Sequence, residues 1–194
     1  MSILQKLSAL SARFNARRLG VRGSIPTGST VRGRGVRIGQ AFFASGAVWI
    51  EAVAEYEGQT FAPSLRVGAN VRTSPRLHIS AIHDVVVGDW CLFGENVFIA
   101  DHQHGATVGD AQAGPSVPPA LRPLAGARPV FVGDRCHLGN NVVVLPGAQI
   151  GAGCIIGANS VVSGVIPDNS IAVGAPARVV KQWDAVTGTW RRST

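Results

Sequence analysis

With 194 residues, 46% of them hydrophobic and 24 of them glycine, the chain is long enough to bury one substantial core and too apolar to be a disordered polymer. Its 18 basic residues against 11 acidic ones leave a formal charge of +7, which favours an anionic partner: nucleic acid, a membrane surface or a phosphorylated small molecule. Nucleic acid is the least supported of the three and is not expected, because the chain has no basic helix with base-reading spacing, no aromatic platform and a single tyrosine.

Ser2 to Arg18 read as an amphipathic helix. Ile3, Leu4, Leu7, Leu10 and Phe14 recur at helical spacing, while Lys6, Arg13, Arg17 and Arg18 lie largely elsewhere, and Gly20 is a natural stop. The stripe is expected to pack on the side or end of the main fold; the rival role is contact with anionic lipid. From Val21 to Phe61 the chain is glycine-rich and basic, with an irregular apolar step that begins near Val31 or Ile38. Glu51, Glu55 and Glu57 read as a solvated turn or sheet edge.

Val67-Gly68, Thr73 and Ile79 set a step of six, which Val87-Gly88, Phe93-Gly94 and Ile99 continue. Residues 100–129 break it with Pro115, Pro118, Pro119, Pro123 and Pro129, which exclude a regular helix or central strand. A long loop inside a compact fold usually carries function. The step then returns without a gap at Val132, Leu138, Val144, Ile150, Ile156 and Val162. A period of six is neither helical nor that of a single strand. It suits a solenoid of short strands and turns whose coils, three hexads each, stack Val132 under Ile150, Leu138 under Ile156 and Val144 under Val162. Pro167, Gly174 and Pro176 end it, and Arg178 to Arg192 are expected as a strand or helix packed outside.

Cys91, Cys136 and Cys154 occupy the small-residue slot of their hexads and are expected as buried spacers, with no base at a comparable slot to activate them. An odd cysteine count, no apolar run of transmembrane length and no uninterrupted signal-peptide core lead to the expectation of a cytoplasmic protein, with the inner membrane face as the refinement.

The hexads, the tail Ile166 to Lys181 (IPDNSIAVGAPARVVK) and the run Phe93 to Gly105 (FGENVFIADHQHG) resemble the hexapeptide-repeat acyltransferases, in particular their sugar and polysaccharide O-acetyltransferase branch. The resemblance implies an all-β fold, a left-handed parallel β-helix of hexapeptide coils with an N-terminal helix and an extruded loop. The expected division is a helix at 1–20, the β-helix at 21–183 with its loop at 100–129, and a tail at 184–194. It also implies acetyl-CoA as acyl donor, no metal, a saccharide acceptor, and a homotrimer with active sites between subunits.

Acetyl transfer from a thioester to a hydroxyl needs a base for the hydroxyl proton, and histidine suits that task near neutral pH. Of five histidines, His102 and His104 lie where the repeat meets the loop. The resemblance selects His102 as base, with His104 as runner-up. Asp101 can orient the imidazole or contact the sugar, and Glu95 and Asn96 are candidate acceptor ligands or plain turn residues. His137 stands where the family commonly has tryptophan and is a candidate for the acceptor pocket. By the same resemblance, acetyl-CoA contacts fall on Asn140, Ala158, Ser163, Arg178 and Lys181. Two other classes compete: a zinc hydrolyase resembling the γ-class carbonic anhydrases, with His102, His104 and His137 as ligands, and a non-catalytic scaffold.

Overall fold

The structure is a computed structural model that describes residues 3–109 and 112–193, with only the backbone course given for 3–6. Its body is a three-faced parallel coil. The first face holds nine strands, the second and third six each. The stacking expected from the period of six is the stacking observed: Leu138 pairs with Ile156, Val144 with Val162 and Val132 with Ile150. All six of these aliphatic side chains are 0% exposed, so the period of six marks the inward position of every face. The handedness is that of the left-handed β-helix, shared with the solved structures described below.

Glycine follows many inward aliphatics because the coils meet closely there. A Cβ on Gly88 would stand 2.7 Å from the backbone nitrogen of Asp134 one coil on. At the corner between the first and second faces, Asn96, Asn141 and Asn159 adopt φ near +59°, +58° and +59°, which asparagine tolerates better than most residues. Their amides link in series, Asn96 Nδ2 to Asn141 Oδ1 at 3.1 Å and Asn141 Nδ2 to Asn159 Oδ1 at 3.0 Å. Cys91, Cys136 and Cys154 are buried, as expected, and each thiol donates across a coil boundary: to Gly133 O at 3.2 Å, Gly151 O at 3.0 Å and Pro167 O at 3.0 Å. The neighbouring Cys154 sulfur pulls the Cys136 thiol down, but the Cys91 sulfur on the other side and burial outweigh this and push it up to about 12, so it stays protonated.

Truncating a rung of the ladder opens a void that rigid neighbouring coils cannot close. Leu138→Ala is expected to cost about 2–5 kcal/mol. Equilibrium urea unfolding measures this, and a loss under about 1 kcal/mol would mean that the coil repacks.

The first coil starts earlier than the apolar step indicates, at Gly23–Ser24, which pairs with Phe42–Phe43. Helix α1 (Ile3–Arg18) packs on this strand, but not by its large apolar side chains. Ala12, Asn15 and Ala16 form the buried face, and Asn15 Nδ2 donates to the carbonyls of Ile25 at 3.2 Å and Pro26 at 2.8 Å. Leu7, Leu10 and Phe14 point outward at 59%, 66% and 73% exposure, which corrects the expectation that the stripe packs on the solenoid. The side chains of Ile3 and Leu4, and Ser2 as a whole, lie outside the described residues. Small residues let the helix backbone lie close to the coil, so the bulky face is turned away. Among the described residues no helix is long and apolar enough to cross a membrane.

Two segments leave the coil on the same side. One is the expected loop, which starts with the strand Gln103–His104, turns through a 3-10 segment at Pro119–Leu121 and returns along Leu124–Ala125. The other, missed in the sequence, is a hairpin of Glu55–Tyr56 with Gln59–Thr60, closed by Glu57 and Gly58 at φ 44° and 76°. This is the two-residue turn in which both central residues take positive φ. The hairpin supports the loop: Gln59 accepts from Leu124 N at 2.7 Å, and Tyr56 donates to Ala120 O at 2.8 Å. At the other end Arg178–Asp184 and Thr189–Arg192 form an antiparallel hairpin that extends the first face, so residues on both sides of position 183 belong to one outer unit.

Candidate active site

Where the second face ends and the long loop departs, a cleft of about 580 Å³ opens beneath the two extrusions. His102 and His104 both line it. Asp101 does not: it is 0% exposed and lies behind His102, accepting from His102 Nδ1 at 2.8 Å and from the backbone N–H groups of Ile82 at 3.0 Å and His83 at 2.8 Å. Burial pushes the Asp101 carboxyl up, but the hydrogen bonds from His102, Ile82 and His83 outweigh it and hold the group below its ordinary value. An ionised carboxylate only accepts, so Nδ1 of His102 carries the proton and the lone pair sits on Nε2, on the opposite edge of the ring. Of the two roles open to Asp101 in the sequence, the geometry fits orientation of the imidazole. Contact with a sugar would require an exposed carboxylate, which is not what is found.

His104 is held differently. Its Nδ1 lies 3.2 Å from the Tyr56 hydroxyl, and the rings meet edge to face at 5.2 Å between centroids. Because the Tyr56 hydrogen goes to Ala120 O, the His104 Nδ1–H is the donor in this pair. Among the described residues no carboxylate pairs with this exposed ring.

The rest of the cleft comes largely from residues the sequence reading passed over. Glu51, assigned there to a solvated edge, is only 15% exposed in its side chain, bonds Arg32 at 2.7 Å and accepts from Trp49 Nε1 at 2.8 Å. Glu55 and Tyr56 also line the cleft, whereas Glu57 sits in the exposed turn. His78 is held below the ordinary imidazole value, first by burial and then by the nearby His102, with Glu51 opposing, so it is neutral at pH 7. The available sequence signal was the Glu57-Gly58 turn between two short runs, together with the only tyrosine placed beside it.

The other candidates lie elsewhere. Glu95 and Asn96 are at the corner between the first and second faces, engaged with Arg76 at 3.0 Å and 2.7 Å, as turn residues of a hexad. Asn140 belongs to the same corner, its Oδ1 accepting from Glu95 N at 2.9 Å. Ala158 follows one coil later. Ser163 follows Val162, which stacks on Val144 one coil before it; Leu145, next to Val144, lines the His102 cleft and Ser163 does not. Arg178 and Lys181 are exposed on the outer strand, with Arg178 donating to Ala177 O at 3.0 Å. His137 points outward from the first face between Leu92 and Ile155. It does not join His102 and His104 within one chain, so the three-histidine zinc set does not form there.

Residues 129–164 match the family described as Bacterial transferase hexapeptide (six repeats). The hexapeptide repeat of that family runs through these residues of the chain. It is 41% identical over 125 residues to the putative lipopolysaccharide biosynthesis O-acetyl transferase WbbJ of Escherichia coli K12, covering 64% of this chain and 63% of that one. It is 37% identical over 126 residues to the probable acetyltransferase Rv3034c of Mycobacterium tuberculosis, covering 63% and 40%. The chain thus spans less than two thirds of the length of either relative. Its fold is similar to that of the hexapeptide-repeat acetyltransferase VCA0836 of Vibrio cholerae complexed with acetyl coenzyme A, with a TM-score of 0.53, 17% identity and 94% and 91% of the chains covered. It is likewise similar to a galactoside acetyltransferase in complex with coenzyme A, with a TM-score of 0.54, 18% identity and 95% and 84% covered.

Proposed function

We propose that the chain is an acetyl-CoA-dependent O-acetyltransferase that acetylates a saccharide hydroxyl in the synthesis of a cell-surface polysaccharide or lipopolysaccharide. The observation that carries this reading is the Asp101–His102 pair at the edge of the cleft. Acetyl-CoA supplies the acetyl group as a thioester. His102 Nε2 takes the proton of the acceptor hydroxyl as its oxygen bonds to the acetyl carbon. The buried Asp101 carboxylate stabilises the resulting imidazolium, which then returns the proton to the departing thiolate. Transfer is direct, because the three thiols are buried structural donors and, among the described residues, no activated nucleophile lines the cleft.

Arg178 and Lys181 are assigned to the phosphates of acetyl-CoA, and Asn140, Ala158 and Ser163 to its pantetheine arm. None of these residues lines the His102 cleft of the same chain, an arrangement suited to a trimer in which each site is completed by a neighbour. His137, on the outer surface of the first face, is assigned to such a shared acceptor wall. WbbJ, named for lipopolysaccharide biosynthesis, supports the acceptor class. The test is a screen of free, nucleotide-linked and lipid-linked sugars with acetyl-CoA, read by thiol release and by the mass of an acetyl group on the product. Thiol release without any acetylated saccharide would overturn the assignment.

A second assignment concerns location at the inner membrane face. On α1 the outward Leu7, Leu10 and Phe14 are flanked by Arg17 on one side and Arg18 on the other, and the helix contains no acidic residue. An apolar stripe bordered by cations suits the surface of an anionic bilayer. The protein is expected to sediment with phosphatidylglycerol vesicles and not with phosphatidylcholine vesicles, and Leu10→Glu/Phe14→Glu is expected to abolish this. Equal binding to both lipids, or binding that survives the substitutions, would remove the role.

A further inference from the structure

The catalytic cleft is not the whole of the concave surface on the second face. Trp49, His78 and Phe98 stack there as outward residues of three successive coils, in the register Trp49–His78–Phe98. Their rings stand 5.9 Å and 5.1 Å apart between centroids, and Arg32 lies over the indole at 5.2 Å. This ridge forms one wall of the His102 cleft. It also forms one wall of a second concavity of about 410 Å³, which is bounded on its far side by Arg76 and Asn96. At that far edge the Arg76 guanidinium and the Glu95 carboxylate bond each other at 3.0 Å while their side chains remain 60% and 49% exposed.

We propose that the two concavities and the ridge between them form one saccharide groove, so that the acceptor is an oligosaccharide or polymer segment with further sugar units running from His102 across the rings toward Arg76. The inference rests on the saccharide-acceptor reading above and extends it from one sugar to several. The chemistry is that of a carbohydrate. A pyranose ring presents an apolar C–H face, which aromatic rings bury, and a rim of hydroxyls, which planar guanidinium and carboxylate groups engage in pairs. Both charged clusters, Arg32–Glu51 and Arg76–Glu95, are internally neutralised pairs. They suit a neutral, hydroxyl-rich ligand better than a charged peptide.

The experiment measures binding without catalysis. Saturation-transfer NMR is recorded on the full-length protein with mono-, di-, tri- and tetrasaccharides of the glucose, galactose and rhamnose series. In at least one series the Kd is expected to fall about tenfold from one unit to three. Trp49→Ala and Arg76→Ala are each expected to remove that gain, and Arg76 lies outside the His102 cleft. Length-independent affinity, or a gain that survives both substitutions, would sink the groove. So would a change in particle mass by light scattering in Trp49→Ala, which would make the ridge a contact between copies of the chain. If single sugars are acetylated but length brings no gain, the groove fails and the transferase reading stands. If no saccharide binds or is acetylated, both fall.

Discussion

His102→Ala is expected to fold, to keep its KM for acetyl-CoA and to lose about 10²- to 10⁴-fold in kcat, the usual contribution of a positioned general base. The expectation rests on the tautomer. Nδ1 is committed to a buried ionised carboxylate at 2.8 Å, so Nε2 is the ring atom that can accept a proton at the cleft. His104→Ala is expected to cost far less. That ring is exposed, uses its Nδ1–H on Tyr56 and, among the described residues, pairs with no carboxylate that would stabilise a positive charge. Steady-state thiol release with both variants decides between them, with thermal melting as the check on folding. A dead His104→Ala beside an active His102→Ala would reverse the roles.

Asp101→Asn is expected to lower kcat by at least about 10²-fold and also to destabilise the fold, a combination His102→Ala should not produce. The carboxylate receives three donors: His102 Nδ1, Ile82 N and His83 N. An asparagine offers one acceptor oxygen and turns an NH2 group on the others, leaving buried donors facing a donor. The expected cost is about 1–3 kcal/mol. The sign of the pH dependence follows from the depressed carboxyl. The folded value lies below the ordinary 3.8, so this stabilisation is fully present above pH 3.8 and is lost as pH falls through the folded value. The stability gap between wild type and Asp101→Asn should therefore close on acidification below 3.8. A gap that persists unchanged would mean that Asp101 acts through shape and not charge. If Asp101 works through His102, the double variant should be no slower than His102→Ala alone.

The period of six was enough to determine the coil, its inward residues and the pairing of Leu138 with Ile156, because in a solenoid each contact lies a fixed number of residues away in the chain. The same regularity exposed its own interruption at residues 100–129, and with it His102 and Asp101. The tertiary structure alone decided what fills the cleft around that pair. Trp49, Glu51 and Tyr56 lie some 50 residues before His102 and His104 and meet them only because coils stack and two extrusions lean together. A one-dimensional pattern holds no record of a contact between two loops that leave the repeat. The same holds for α1: its spacing shows an amphipathic helix, but whether the large or the small residues face the coil depends on how closely two backbones approach. There Ala12 and Ala16 took the inner side and left Leu7, Leu10 and Phe14 outside. It holds also for His137, whose loop-free hexad position marks it as outward but not which face of the coil, or which neighbour, it turns toward.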